Sequence, residues 1–423
     1  MLEQLQDVLK AHWEQSGFES ATKIQSSLYQ PIRDGQSLVA ISPTGSGKTL
    51  AYLLPLLSTI EADNSLQVII LAPSQELVKQ ISTVVQEWGG LLGIHCLPIL
   101  GNANMKRQLD ALKERPEVIV ATPGRLQEIA QQSRKVKFHQ VKTIVLDEGD
   151  YLLEDSQEEA VNTITKRLMR DVQKIWVSAT YGPALQRIVE EQNLALHQLM
   201  DENATNLKHV AILTQNRQKG QQLKRLAHVE GMQAIVFFEQ VSELESIAAK
   251  LIFEKVAVGL LHGQLSKLER ERSITAFRNG ELTYLLTTDV AARGLDIADL
   301  PAVIHFNRVS DVRTYTHRSG RTGRMGKAGM VISLVNEQEL RDLNAMLESE
   351  TIMLEPYTTY KGVLMSEDER EQLRESAMDM PTQVKKVRKP TAKKPMRTVK
   401  NEKAKKKNRR RDTKNKGKRR PKQ

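Results

Sequence analysis

The strongest constraint on how this chain folds is a rhythm of short apolar runs, rich in Val and Ile and too short for helices. Each run ends in a polar cluster and is followed by a segment of helix length. In the first half the runs fall at residues 37–41, 68–72, 118–121, 143–146 and 174–178, and in the second at 234–238, 256–261, 284–288, 302–306 and 329–334. A strand that is apolar on both faces needs cover on both faces, so each half predicts a parallel sheet flanked by helices. The 423 residues suffice for two such domains, each with its own core. The expected architecture is α/β, with two tandem doubly wound parallel-sheet domains, residues 1–200 and 207–360, joined by the polar, aperiodic linker 201–206. Beyond them the pattern fades into a charged helical segment, 361–383, and a Lys/Arg-rich tail, 384–423.

Charge is divided as unevenly as hydrophobicity. Residues 384–423 hold 21 Lys and Arg against Glu402 and Asp412, a net +19, and since the whole chain carries +11 the remainder carries −8. With only scattered Val and Met to bury, the tail is expected to be disordered. A polyanion would be held by that tail or by a few placed side chains, not by a general positive field. No run approaches the ~18 apolar residues of a membrane helix, and the N-terminal residues lack the basic and apolar regions of a secretory signal. Cys96, the one cysteine, can neither form an intramolecular disulfide nor complete a zinc site, and its neighbours Leu92, Ile94 and Leu97 predict a buried thiol. A cytoplasmic, reducing setting without a membrane partner is the expectation.

Two motifs carry chemistry. The run 37–41 leads into Ser42-Pro43-Thr44-Gly45-Ser46-Gly47-Lys48-Thr49 and then a helix-forming stretch. Glycines in such a turn let backbone N–H groups face a phosphate, Lys48 can reach the β- and γ-oxygens, and the Thr49 hydroxyl can ligate Mg²⁺. The strict pattern has Gly where this chain has Ser42. The run 143–146 ends in Asp147-Glu148-Gly149-Asp150, which puts carboxylates at the C-terminal end of a strand, where open α/β sheets bind ligands. Asp147 is placed to hold Mg²⁺ and Glu148 to deprotonate an attacking water. His262, after another apolar run, reads as a structural histidine because no other metal ligands accompany it.

At this point the chain resembles the DEAD-box ATP-dependent RNA helicases, in order across roughly residues 17–335. Gly17-Phe18 and Thr22-Lys23-Ile24-Gln25 resemble the family's Q motif, and Ala72-Pro73-Ser74-Gln75-Glu76-Leu77, Gly101 and Thr122-Pro123-Gly124-Arg125 resemble its RNA-contacting motifs. Asp147 to Asp150 stands for the motif that names the family, and Ser178-Ala179-Thr180 for the element that couples hydrolysis to strand separation. In the second half the most specific matches are residues 287–296 and Tyr315-Thr316-His317-Arg318-Ser319-Gly320-Arg321-Thr322-Gly323-Arg324. The resemblance implies RecA-like domains, ATP and Mg²⁺ as cofactors, an adenine site at Phe18 and Gln25, and a ribose contact at Asp296. It implies arginine fingers at Arg321 and Arg324, and coupling through Asp150, Ser178, Thr180 and His317. RNA would be contacted through its backbone and 2′-OH groups at Gly101, Thr122, Gly124, Arg125, Arg270 and Thr287. Read without the family, Arg318, Arg321 and Arg324 suit a solvated basic face equally well. Gln75 stands where the family has an RNA-contacting arginine, Gly149 where it has alanine, and Ala21, Lys23 and Lys267 also depart from its pattern.

The resemblance therefore implies an ATP-dependent helicase that binds single-stranded RNA and locally opens short duplexes. An ATP-gated RNA clamp or assembly scaffold, and a DNA-directed helicase of the same superfamily, remain as alternatives, separated by RNA-dependent turnover and by RNA against DNA stimulation. Basic tails of this kind are common on bacterial members that act on ribosomal RNA. Ribosome assembly or cold adaptation is thus the implied role, with structured or ribosomal RNA and pre-ribosomal particles as partners and a monomer as the working form. Deletion of residues 384–423 is expected to raise the RNA concentration for half-maximal ATPase at low salt and to leave the rate at saturating RNA unchanged. Each phosphate neutralised on a single strand adds about −0.7 to the slope of log K against log salt, so losing about five contacts flattens it by about 3.5. Titrations of both proteins at several salt concentrations check this, and an unaltered slope removes the tail from RNA binding.

Overall fold

Both expected sheets form, and each apolar run supplies one of their strands. The structure, a computed structural model, describes residues 1–43, 45–101, 103–153, 155–199, 207–292, 300–323, 328–348 and 352–378. The expected linker 201–206, the tail 384–423, and Thr44, Asp296 and Arg324 lie outside the described residues. The first sheet comprises β1 (Leu38–Ile41), β2 (Val68–Leu71), β3 (Cys96–Ile99), β4 (Val118–Ala121), β5 (Thr143–Asp147), β6 (Gln173–Ser178) and β7 (Ala195–Gln198). Its order is β3-β4-β2-β5-β6-β1-β7, and every pairing is parallel. The second comprises β8 (Leu207–Leu213), β9 (Ala234–Phe238), β10 (Val258–Leu261), β11 (Tyr284–Thr288), β12 (Ala302–His305), β13 (Gly329–Val335), β14 (Glu355–Tyr360) and β15 (Val363–Ser366). Its order is β10-β11-β9-β12-β13-β8-β14-β15, parallel except for the last pair.

Alternate residues of the central strands feed different cores, as cover on both faces requires. Leu38, Ala40, Val68, Ile70 and Val145 join one cluster with the helices Lys23–Arg33, Lys48–Leu57 and Gln75–Gly90, while Val39, Ile41, Ile69, Leu71, Ile144 and Leu146 join the other. Register levels the C-terminal strand ends that carry the motifs. Ile41 lies opposite Ser178, and Leu71 lies between Ala121 and Leu146. No described helix is long and apolar enough to cross a membrane.

The apolar runs do not mark β3, β7, β8, β14 or β15. β3 is a half-buried edge strand containing Pro98, which an edge tolerates because it needs one fewer backbone donor. β14 and β15 correct the expected end of the second domain at residue 360, because the sheet continues to Ser366. Lys361 and Gly362 both adopt positive φ, 49° and 80°, the combination a two-residue hairpin turn demands, and Tyr357 and Met365 are buried on its inner face. The charged helix begins only at Glu367 and is described to Met378.

At the start of β13 the chain passes so close to the turn at residues 322–323 that only a glycine fits. A Cβ on Gly329 would overlap Thr322 Oγ1 and lie 2.6 Å from the backbone N of Gly323. Backbone cannot yield as a side chain can, so Gly329→Ala is expected to cost about 1–3 kcal/mol. At about 2–4 °C per kcal/mol this lowers the thermal midpoint by several degrees, measurable by calorimetry. Turnover should fall too, since Arg321 belongs to the same turn through its N–H bond to Arg318 O.

Candidate active site

The first sheet presents its phosphate-loop residues at the end of β1, ahead of the helix Lys48–Leu57. Gly45 and Gly47 take φ of 83° and 87°, the left-handed turns the pattern anticipates. Ser42, in place of the usual glycine, braces the loop: its Oγ donates to Ser46 Oγ at 2.8 Å, and its N–H donates to Ser178 O at 3.1 Å. The Lys48 ammonium turns into the loop and donates to the carbonyls of Ser42 and Pro43, each at 2.7 Å. Phosphate oxygens reaching the loop would compete with those carbonyls.

β5 ends at the carboxylates. Asp147 is buried and accepts from Tyr52 Oη and from the Glu148 N–H, both at 2.9 Å. Burial, and then the charge of Glu148, push its pKa up to about 6 against the pull of Lys48. The Tyr52 hydroxyl, raised well above its ordinary pKa by burial and then by Asp147, also hydrogen-bonds Thr49. One buried phenol thus joins Thr49 and Asp147. Glu148 adopts the left-handed conformation, φ 52° and ψ 51°, and its Oε2 is buried without a hydrogen-bond partner. Beside it lies a cavity of about 20 Å³, room for one water, lined by Glu148, His317, Arg318 and Arg321.

Asp150 joins the two sheets. Its Oδ2 accepts from Thr180 Oγ1 at 2.6 Å and lies 3.1 Å from His317 Nε2 on the helix Val312–Ser319. Burial alone would raise the carboxyl, but the hydrogen bond and charge of His317, followed by bonds from Thr180 and Ser178, hold it below its ordinary value. Ser178, fully buried, accepts the Thr180 N–H through its Oγ at 3.2 Å. The same helix contributes Arg313, which donates to Asp150 O at 3.1 Å and lies 4.4 Å above the Tyr151 ring. Tyr151 in turn meets the His317 ring edge-on at 4.7 Å.

Residues 22–188 match the family described as DEAD/DEAH box helicase, and residues 218–326 match the helicase conserved C-terminal domain. The chain belongs to the DEAD-box ATP-dependent RNA helicases. It is 42% identical to the probable ATP-dependent RNA helicase YfmL of Bacillus subtilis over 82% of this chain and 93% of the relative. It is 40% identical to the DEAD-box ATP-dependent RNA helicase CshC of Bacillus cereus over 86% of this chain and 94% of that one. It is also 32% identical to the ATP-dependent rRNA helicase rrp3 of Emericella nidulans, over 87% and 81%. Among solved structures, Saccharomyces cerevisiae Dbp5 bound to RNA and ADP BeF3 superposes with a TM-score of 0.76 at 26% identity, covering 89% of this chain and 98% of that chain. This DEAD-box helicase is accordingly an RNA helicase that hydrolyses ATP.

Several motif side chains of the helicase are committed inside the protein. Gln25 is buried in a capping box, with Oε1 accepting from Thr22 N at 2.9 Å and Nε2 3.4 Å from Gly47 O, so its amide braces the phosphate loop. Phe18 is half-exposed and packs on Trp13 at 4.9 Å. Arg125 spends its guanidinium on Gln108, Glu128 and Ala103 O, tying the helix Pro123–Gln132 to the helix Met105–Ala111, while Gly101 and Gly124 are exposed and Thr122 is half-buried. Arg270 pairs with Glu76 of the first sheet's side at 3.1 Å. Thr287 corrects an expectation: the whole residue is buried, with Oγ1 donating to Leu261 O at 3.0 Å, so it presents no surface to RNA in this arrangement. Arg318 corrects another, being no solvated cation but a buried one, bidentate to Asp289 at 2.6 Å on both arms and 5.1 Å over Phe237. Gly149 has a packing role beyond its permissive backbone, since a Cβ there would lie 3.0 Å from the Trp176 ring.

Sequence reasoning missed Tyr52, Arg313 and the Arg318–Asp289 pair. Helical spacing was the available signal for the first two: Tyr52 follows Thr49 by three residues, and Arg313 precedes His317 by four. Asp147 yields a pH test. Its pKa of about 6 lies above the ordinary carboxylate value near 4, so its contribution to stability is full below pH about 4 and is lost as pH rises through 6. Relative to Asp147→Asn, neutral at every pH, nucleotide-free protein should lose stability as the pH rises across that window. Urea melts of both proteins from about pH 4 to 7 check this, and parallel profiles would return Asp147 to the ordinary range.

Proposed function

We propose that this helicase uses the shared Asp150 carboxylate as the link by which RNA-dependent closure licenses ATP hydrolysis. Lys48, Thr49 and the backbone of Gly45, Ser46 and Gly47 hold the phosphates, joined by Thr44, while Gln25, Phe18 and Asp296 serve the nucleoside. Thr49 and Asp147 hold Mg²⁺, for which the observation is a pair of oxygen ligands already joined through one buried phenol. When bound, Mg²⁺ neutralises charge on the β- and γ-phosphate oxygens. The unpartnered Oε2 of Glu148, facing room for one water, suits a base that orients and deprotonates the attacking water. Arg321, on the same cavity, and Arg324 supply the fingers that stabilise charge in the transition state.

RNA lies across both sheets at Gly101, Thr122 and Gly124, and draws Arg125 and Arg270 from their internal partners. Structured or ribosomal RNA in the cytoplasm, in pre-ribosomal particles, is the substrate we infer for a monomeric enzyme; the tail's +19 charge and a relative named as an rRNA helicase support it.

The observation that carries the reading is the Thr180–Asp150–His317 arrangement. His317→Ala is expected to leave ATP binding unchanged while removing most of the RNA stimulation of turnover. Glu148→Gln should accumulate with ATP in an RNA-gripping form, Lys48→Ala should lose nucleotide and grip together, and Arg321→Ala should slow hydrolysis by about 10³–10⁵ at little cost in affinity. Nucleotide binding, RNA filter binding and steady-state ATPase of the four variants check this. Parent-like turnover of Glu148→Gln and His317→Ala with RNA would overturn the assignment.

A further inference from the structure

The strands of the first sheet run parallel, so the helicase motifs gather at one end and leave the opposite end without a role. At that opposite end, before β2, β4 and β5, lies a cleft of about 680 Å³. Its floor is apolar, formed by Leu66, Leu112, Ile119 and Val136, all buried. Its rim carries Lys113, Arg115, Arg134, Lys135, Lys137 and His139. Two of these cations are already engaged: Lys113 pairs with Asp110 at 2.8 Å, and Lys135 Nζ donates to Leu109 O at 2.8 Å. The side chains of Arg115, Arg134 and Lys137 are exposed and make no ion pair or hydrogen bond with the described residues.

The cleft walls are held in place. Glu117, almost fully buried, accepts the N–H groups of Asn64 and His95 at 2.8 and 2.9 Å and so fixes the turn that forms one wall. Asn64 and Arg115 both adopt left-handed backbone, φ 57° and 51°, which asparagine tolerates and arginine takes up rarely. Such a rim stands out on a protein whose charge outside the tail is −8. Cations above an apolar floor match a nucleotide chain, with phosphates on the rim and an unpaired base against the floor.

We propose that this cleft is a second RNA-binding site, which holds a flanking part of a structured RNA whose single strand occupies the cleft between the sheets. Strands rise about 3.3 Å per residue, so Pro116 at the floor and Thr122 at the RNA-facing end are on the order of 20 Å apart. A strand only long enough to fill the motifs ends short of the cleft, whereas RNA that continues beyond them can reach it. The site therefore lets the enzyme prefer a strand attached to structure over the same strand free. This inference rests on the motif-bearing cleft being the primary RNA site, and a short single strand reports on that cleft separately.

The test compares the full chain with the variant Arg115→Asn, Arg134→Gln, Lys137→Gln, in which Asn suits the left-handed position. RNA-stimulated ATPase is titrated with a short single strand and with that strand extended by a hairpin. Half-maximal stimulation by the extended RNA should require about tenfold more RNA in the variant, and its salt slope should flatten by about 2, while the short strand is unaffected. A control replacing Lys10, Lys250 and Lys255 by Gln removes the same charge elsewhere and should behave like the parent. An unchanged response to extended RNA, or an equal loss in the control, overturns the proposal. As a second measurement, an iron chelate on Gln140→Cys, beside the cleft, should cleave the hairpin flank of bound RNA. Cys96 will compete poorly for the label because burial pushes its thiol up to about 12. Absence of flank cleavage overturns the second site, whereas failure of the short strand to stimulate the parent would instead overturn the primary one.

Discussion

The structure turns on one carboxylate that both sheets need. Asp150 accepts from Thr180, which β6 delivers, and meets His317, which the second sheet's helix delivers. A buried carboxylate is costly unless its lone pairs are filled, and the groups that fill these belong to opposite sides of the catalytic cleft. Separation of the two sides would cost Asp150 its contact with His317. That shared contact ties the two sides together in this arrangement. Arg313 strengthens the same junction by bonding the Asp150 carbonyl and covering Tyr151.

Around this junction the chemistry is arranged by environment. Asp147 and Glu148 are adjacent in sequence but differ in surroundings: one is buried against a phenol with its pKa raised, the other is forced into a left-handed turn that points an unpaired oxygen at the cavity. The acid at 150, two residues further, is held in the opposite direction by its hydrogen bonds. Two carboxylates three residues apart are thus pushed in opposite directions by their surroundings, the arrangement expected where neighbouring acids are to take different parts in one reaction.

Most of this was legible in the sequence where local pattern and chemistry coincide. Continuous apolar runs gave the central strands, because burial on two faces leaves no alternation to confuse with a helix. The edge strands of the first sheet were illegible for the converse reason: Pro98 and His197 sit where one side of the ladder is open, so the composition of β3 and β7 does not need to be apolar throughout. Side-chain commitments were also hidden. The burial of Thr287 and the bidentate Arg318–Asp289 pair depend on partners 26 and 29 residues away. The same holds for Gly149, where an added Cβ would lie 3.0 Å from the ring of Trp176, a neighbour 27 residues away.

The inward turn of Lys48 gives the phosphate loop a threshold. Its ammonium already has two carbonyl partners at 2.7 Å, so an incoming ligand gains only the difference between its own attraction and theirs. A chain of several phosphates, with charge to spare, can outcompete two neutral oxygens; a lone phosphate on a nucleoside has little margin over them. In the proposed phosphate-binding role, the loop would therefore sort nucleotides by how many phosphates they carry before the base is read.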